Sequence, residues 1–312
     1  MTEYKHIFGP VPSRRLGISL GIDIITKKTC NLDCVYCEVG KTTNYTIIRD
    51  EYIDLDEIKS EITHYFKYNN CILDYITFAG SGEPMLNNKI GEIIKYIRSI
   101  TDTKIALITN GILFTNSKII DEIVDVDVII PSLDAVFQET FNKINRPYEN
   151  IKIDEIIKGL ILLRDKYLKQ IFLEIFIIDG INNSKEELDY FKEVLLKIKP
   201  DKIELNSLDR PPVENWVKKT DISILQEIKN YWNIENVVII DKYKNRKEVC
   251  AYSDLKEKTI LNMLSIRPCT VEDISNITGI NVLEINKYLD ILENFKLIES
   301  VKNERGVFIK LK

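Results

Sequence analysis

The sequence predicts an α/β protein built on a partial (βα)6 barrel of the TIM type, with a separate small unit at its C-terminal end. Three observations point there. Six short runs rich in Ile, Val, Leu and Phe alternate with amphipathic segments along residues 16–207, and such alternation builds a parallel sheet. The runs are nearly continuous in apolar residues, the pattern of strands covered on both faces. Six units fall short of the eight of a closed barrel. A length of 312 residues with 45% hydrophobic content allows about two domains and a sizeable core.

The elements follow in order. LGISLGIDII (16–25) is the first strand and runs into a cysteine-rich loop. LDYITFAG (73–80), KIALITN (104–110), VDVIIPS (126–132), IFLEIFII (171–178) and DKIELNS (201–207) are bounded by turn residues. DLDEIKSEITHYFKY (54–68), NNKIGEIIKYIRSI (87–100) and IDEIIKGLILLRDKYL (153–168) repeat apolar residues three and four apart, as helices do. DISILQEIKNYW (221–232) and NVVIID (236–241) add a helix and a strand at the barrel's edge, and KYKNRKE (242–248) reads as a charged linker. The barrel domain is expected over 1–248 and the second unit over 253–312.

In that second unit, LKEKTILNMLSI is a helix, and TVEDISNIT opens on a capping box from Thr270 to Asp273. Gly279 turns the chain into a third helix, and ESVKNERGVFIKLK forms a hairpin. This order resembles a winged helix-turn-helix. Its charge does not favour DNA: residues 253–312 hold nine basic and nine acidic residues, whereas a phosphate-binding face is basic. Nucleic-acid binding, peptide contact and domain packing all stay open for this unit.

The net charge of −5 gives no general attraction for nucleic acid. No apolar run reaches the ~18–20 residues that cross a bilayer, and MTEYKHIFGPVPSRR lacks the apolar stretch of a signal peptide. A cytoplasmic protein without membrane contact is expected. There thiols stay reduced, so clustered cysteines read as metal ligands. Cys71, Cys250 and Cys269 are scattered and read as small buried hydrophobes.

Cys30, Cys34 and Cys37 form C-x3-C-x2-C. Structural zinc takes four ligands, and no fourth cysteine or spaced histidine stands nearby. Iron–sulfur clusters also take cysteine thiolates, normally four. Three would leave one iron of a [4Fe–4S] cluster open to a small chelating molecule. Zinc and a chance grouping of core cysteines are the alternatives.

The motif, with Tyr36 before its last cysteine, resembles the signature of radical S-adenosylmethionine (SAM) enzymes. The resemblance covers residues 7–210. It implies a [4Fe–4S] cluster, SAM chelated to the open iron, and an electron donor such as flavodoxin or ferredoxin. It also implies reductive cleavage of SAM to a 5′-deoxyadenosyl radical that abstracts hydrogen from substrate. AGSGEP (79–84), with Gly80, Ser81, Gly82 and Glu83, resembles the superfamily's GGE motif for the SAM amino group. Asn110 would reach the SAM carboxylate or ribose, Ser132 and Asp134 the ribose, and Arg146 the carboxylate. The loop around Ile178 resembles the one that contacts adenine. Helix capping for Ser132 or Asp134 and a solvated role for Arg146 stay open.

Glu174, Glu204 and Asn206 interrupt apolar strands. The helix-covered face would penalise an unpaired carboxylate, so the lumen is their expected side, as cavity lining or as a buried ion pair. Arg14 and Arg15 would bind phosphate or carboxylate, or form structural ion pairs at the barrel's base. A strand starting near Leu16, at about 3.3 Å per residue, puts them on the rim opposite the cysteines. FGPVPSRRLGISLGIDI resembles an incompletely characterised group distantly related to the wyosine-base (tRNA) synthases. The additional cluster-binding cysteines of those synthases are absent here. The expected substrate is an RNA base first, then a peptide or protein, including glycyl-radical activation of a partner, or a small molecule. A DNA-binding regulator that senses redox state or SAM is the non-enzyme alternative. No residue stands out as catalytic.

Overall fold

The structure, a computed structural model, describes residues 4–26, 28–208, 212–240, 254–266, 268–303 and 306–312. The expected linker at 242–248 and Cys250 lie outside the described residues. The chain opens with strands β1 (Ile7–Ser13) and β2 (Gly17–Ile22), and two short strands, β3 (Thr29–Cys30) and β4 (Asn44–Tyr45), pin the cysteine loop. Then come α1 (Leu55–Tyr68), β5 (Tyr75–Phe78), α2 (Ile90–Ile100), β6 (Lys104–Thr109), α3 (Ser117–Glu122) and β7 (Val128–Pro131). They are followed by α4 (Gln138–Ile144), α5 (Ile153–Lys166), β8 (Gln170–Phe176), α6 (Lys185–Ile198), β9 (Lys202–Asn206), α7 (Ile222–Trp232) and β10 (Val237–Ile239).

The main sheet has eight strands in the order β1-β2-β5-β6-β7-β8-β9-β10. Every neighbouring pair from β2 to β10 is parallel. Among the described residues no pairing joins β1 to β10, so the sheet is open there as in a partial barrel. Beyond the six barrel strands, β10 is the edge strand expected over 236–241 and extends the parallel run, whereas β1 adds an antiparallel edge strand that was not expected. The β1 segment IFGPVPS, to which the sequence pattern assigns no element, contains a glycine and two prolines. An edge strand tolerates them, since its outer hydrogen-bonding side has no partner.

Helices pack on the outside by apolar stripes; α2, for example, buries Ile90, Ile93, Ile94 and Ile97. Beyond the barrel, α8 (Asp254–Ile266), α9 (Val271–Thr278) and α10 (Val282–Asn294) precede a hairpin of β11 (Ile298–Asn303) and β12 (Gly306–Leu311). They share their own core of Ile260, Leu264, Ile274, Ile285, Leu292 and Ile298. The Thr270–Asp273 capping box is present. Helix α10 packs against β1, and its polar residues Glu284, Asn286 and Asp290 are buried. Cys269 is buried and Cys71 partly exposed. Among the described residues no helix is long and apolar enough to cross a membrane.

Candidate functional site

The cysteine loop leaves β2 at the C-terminal end of the parallel strands, where βα barrels carry their chemistry. Main-chain bonds fasten it: Asp33 N–H to the Asn145 carbonyl at 3.0 Å, Val35 N–H to that of Ile144 at 2.9 Å, and Cys37 N–H to that of Cys34 at 3.1 Å. The Asn145 amide donates to Cys34 Sγ at 3.4 Å and the Asn110 amide to Cys30 Sγ at 3.8 Å. The buried Lys28 ammonium donates to the Gly40 carbonyl, three residues past Cys37.

Burial, with Glu83 adding to it, pushes the Cys30 thiol up to about 12. Burial and the neighbouring Cys37 and Asp134 hold Cys34 well above its ordinary value. Such thiols become ligands only when a metal supplies compensating charge. Among the described residues, the one trio of His, Cys, Asp or Glu with ligand atoms all within 4.8 Å of one another is His6, Glu57 and Glu61. The three cysteine sulfurs are therefore spread wider than around one zinc, where Zn–S bonds of about 2.3 Å put sulfurs about 3.8 Å apart. A cluster suits that spread.

The 79–84 turn closes one side of the loop. A Cβ on Gly82 would lie 1.8 Å from the Thr29 carbonyl oxygen, and one on Gly80 would lie 2.2 Å from Asp23. These glycines thus admit the cysteine loop itself. Ser81 donates its N–H and hydroxyl to Asp23 Oδ2, at 2.9 and 2.5 Å. Glu83 accepts from Met85 N–H, the Thr109 hydroxyl and Asn110 N–H at 2.7–3.0 Å. Burial pushes its carboxyl to about 6.

A second network braces the other side. Asp134 accepts from the Tyr36 hydroxyl at 2.5 Å, the Asn145 amide at 2.7 Å and Phe176 N–H at 3.0 Å. Burial lifts it to about 6. Tyr36 stacks on Phe176, ring centroids 3.9 Å apart. Asn110, Ser132 and Asp134 line a cavity of about 40 Å³ with Cys34 and Tyr36. Arg146 points away and pairs with Glu214 at 2.6 Å. Ile178 is buried in apolar contacts with Val35 and Phe176, and its N–H donates to Asn182 at 2.8 Å.

The lumen holds a charged layer. Glu174 on β8 and Glu204 on β9 are register partners, as are Phe176 and Asn206 one step nearer the cysteines. Two carboxylates side by side repel. Arg15 bridges them, with two bonds to Glu174 at 2.8 and 2.6 Å and Nε 3.5 Å from Glu204. Asn206 donates to Glu174 at 2.6 Å. Arg15 lies in the β1–β2 turn, on the rim opposite the cysteines as the strand arithmetic expects. The strands are short, however: β5 has four residues, about 13 Å, so the arginine side chain rises to mid-lumen. Above this layer lies a cavity of about 260 Å³, bordered by Arg14, Arg15, Cys37, Glu38, Glu174 and Asn206, with Lys287 of α10 at its wall.

The sequence profile of the radical SAM superfamily matches residues 24–191, over half of the chain. The chain belongs to the radical SAM superfamily. It is 33% identical to a UPF0026 protein of Methanocaldococcus jannaschii over 91% of this chain and 90% of that one. It is 37% identical over 96% of its own length to a protein named GTPase Obg in Brachyspira hyodysenteriae, and spans 44% of that protein. Among solved structures it resembles TYW1 with a lysine–pyruvate adduct bound, with a TM-score of 0.51 and 18% identity over 72% of this chain and 75% of that one. The superfamily's cofactors, a [4Fe–4S] cluster and SAM, make this chain a SAM-using enzyme.

Cys30, Cys34, Cys37, Asn110, Tyr36, Ser132 and Asp134 come together, as do Arg15, Glu174, Glu204 and Asn206. Arg146 does not join either group. Sequence reasoning passed over Lys28, Asn145, Asp23 and Lys287. Lys28 and Asn145 sit in KKTC and INRP, beside residues already singled out; Asp23 and Lys287 carry no local signal.

Proposed function

We propose that this chain is a radical SAM enzyme that abstracts hydrogen from a polar group docked in the lumen on Arg15 and Glu174. The observation that carries the reading is the 260 Å³ cavity walled on one side by Tyr36 and Cys37 and on the other by Arg15, Glu174 and Asn206. When bound, the cluster and SAM supply a 5′-deoxyadenosyl radical at this end of the barrel. The rim formed by Gly80–Glu83, Asn110, Ser132 and Asp134 lies on the SAM side. Glu83 and Asp134 act there by fixing Asn110, Tyr36 and the cysteine loop, because their oxygens already serve protein donors. Arg15, Glu174 and Asn206 orient the substrate by hydrogen bonds, and the stacked Tyr36–Phe176 pair shields the cysteines from water.

The cavity lies at the small end of ligand pockets, which begin at about 300 Å³. It suits one base or one side chain. An RNA base is the class we place first, since its donor and acceptor edge matches the guanidinium–carboxylate pair. The C-terminal unit, which we read as a winged helix forming its own domain beyond residue 253, has α10 turned toward β1 and the cavity. It works in this reading as a wall of the site, which also counts against a DNA-binding regulator. A cytoplasmic location and a flavodoxin or ferredoxin donor go with this proposal.

The test adds SAM and dithionite to anaerobically reconstituted protein, with small RNA, a peptide fraction, or neither, and quantifies 5′-deoxyadenosine. Stimulation by RNA supports the base reading; stimulation by peptide alone sinks it. Glu174→Gln should lower RNA-stimulated turnover per folded protein. If only its stability falls, the docking role is wrong.

A further inference from the structure

Lys28, two residues before Cys30, is 3% exposed, and lysine is almost never so buried unless paired. Its backbone is held on both sides. The N–H donates to the Thr43 hydroxyl at 2.8 Å, and the carbonyl accepts from Asn44 N–H at 2.9 Å. The ammonium donates to the Gly40 carbonyl, and Gly40 N–H donates to the Cys37 carbonyl at 3.4 Å. This places the ammonium on the turn that follows Cys37. Among the described residues no carboxylate pairs with it.

Two of the three sulfurs have a side-chain donor. Asn110 serves Cys30 and Asn145 serves Cys34, both neutral amides. The buried group on the Cys37 turn, the Lys28 ammonium, is charged. Hydrogen bonds to sulfur and nearby charge set the potential of an iron–sulfur cluster. One-electron reduction adds a negative charge, and a buried cation beside it is little screened by salt.

We propose that Lys28 is a tuning residue that raises the reduction potential of the cluster held by Cys30, Cys34 and Cys37, by holding its buried ammonium on the Gly40 carbonyl in the turn that follows Cys37. This rests on the radical SAM reading above. The step is transfer of one electron from a low-potential donor, a reduced flavodoxin or ferredoxin in the cell and dithionite in the assay, to the oxidised cluster. No bond forms or breaks and no proton moves.

The experiment is a potentiometric titration of the reconstituted full-length chain, followed by electron paramagnetic resonance, after iron and sulfide analysis. Lys28→Met is expected to weaken reduction about tenfold, a potential about 59 mV lower for one electron. Lys28→Arg, which keeps the charge, should stay within about threefold, or about 28 mV, of the native chain. A Lys28→Met potential within that same margin, or equal shifts in the Met and Arg variants, overturns the proposal. If Lys28→Met holds no cluster, Lys28→Gln decides by the same margin, since its amide keeps a donor for Gly40. A native chain with no [4Fe–4S] signal would instead overturn the parent reading, and the proposal with it.

Discussion

Replacing Arg15 by Met should destabilise the chain in a pH-dependent way. Arg15 is the cation shared by Glu174 and Glu204, whose side chains are 12% and 0% exposed. Removing one partner of a buried ion pair costs about 3–5 kcal/mol, because the remaining charge is stranded. Burial already holds the Glu204 carboxyl above its ordinary value, and Arg15 is the main influence pulling it down. Without Arg15 that value rises further. A carboxyl whose folded value is raised binds its proton more readily in the folded chain. Stability then falls as pH climbs from the unfolded value through the folded one. The deficit of Arg15→Met should thus be larger at about pH 8 than at about pH 5, since Glu204, its value raised, takes up a proton as pH falls. Urea denaturation of the cluster-free chain, native and variant side by side, reads it directly. Arg15→Lys should recover part of the loss, since a point charge replaces a two-pronged fork. A deficit below about 1 kcal/mol, the range of exposed ion pairs, would refute the buried bridge. So would a deficit of equal size at both pH values.

Three further outcomes are expected. Gly82→Ala drives a methyl into the Thr29 carbonyl; it should cost about 1–3 kcal/mol and lower iron content after reconstitution, and native-like iron content would contradict the close approach. With Glu83 raised to about 6, the native chain should lose about 2 kcal/mol between its ordinary carboxyl value and that one as pH rises. Glu83→Gln should flatten this part of the urea-midpoint profile, and an unchanged slope would remove Glu83 as its source. Because α10 lies against β1, gel shifts on genomic fragments at two salt concentrations should show no sequence-specific complex; a tight, salt-dependent, specific one would show α10 free to read DNA.

The parallel strands were legible because each is an apolar run between turn residues, and the helices because their stripes recur at helical spacing. Strand β1 was not legible, since its prolines are tolerated only through its edge position, which depends on the whole sheet. At the site, cysteine spacing alone pointed to a metal with an open position. The lumen side of Glu174 and Glu204 followed from strand alternation and the cost of burying a lone charge. Their shared partner did not, because Arg15 lies 159 residues from Glu174. The same distance problem hid the uses of Glu83 and Asp134. Their carboxylates read as ligand contacts, yet the folded chain commits them to Thr109, Asn110, Tyr36 and Asn145.

The most direct test of the central claim is 5′-deoxyadenosine formation by anaerobically reconstituted chain given SAM and dithionite, against a Cys34→Ala control. The account predicts deoxyadenosine from the native chain and only background from the control. An intact cluster in the native chain with deoxyadenosine no higher than the Cys34→Ala level would contradict it.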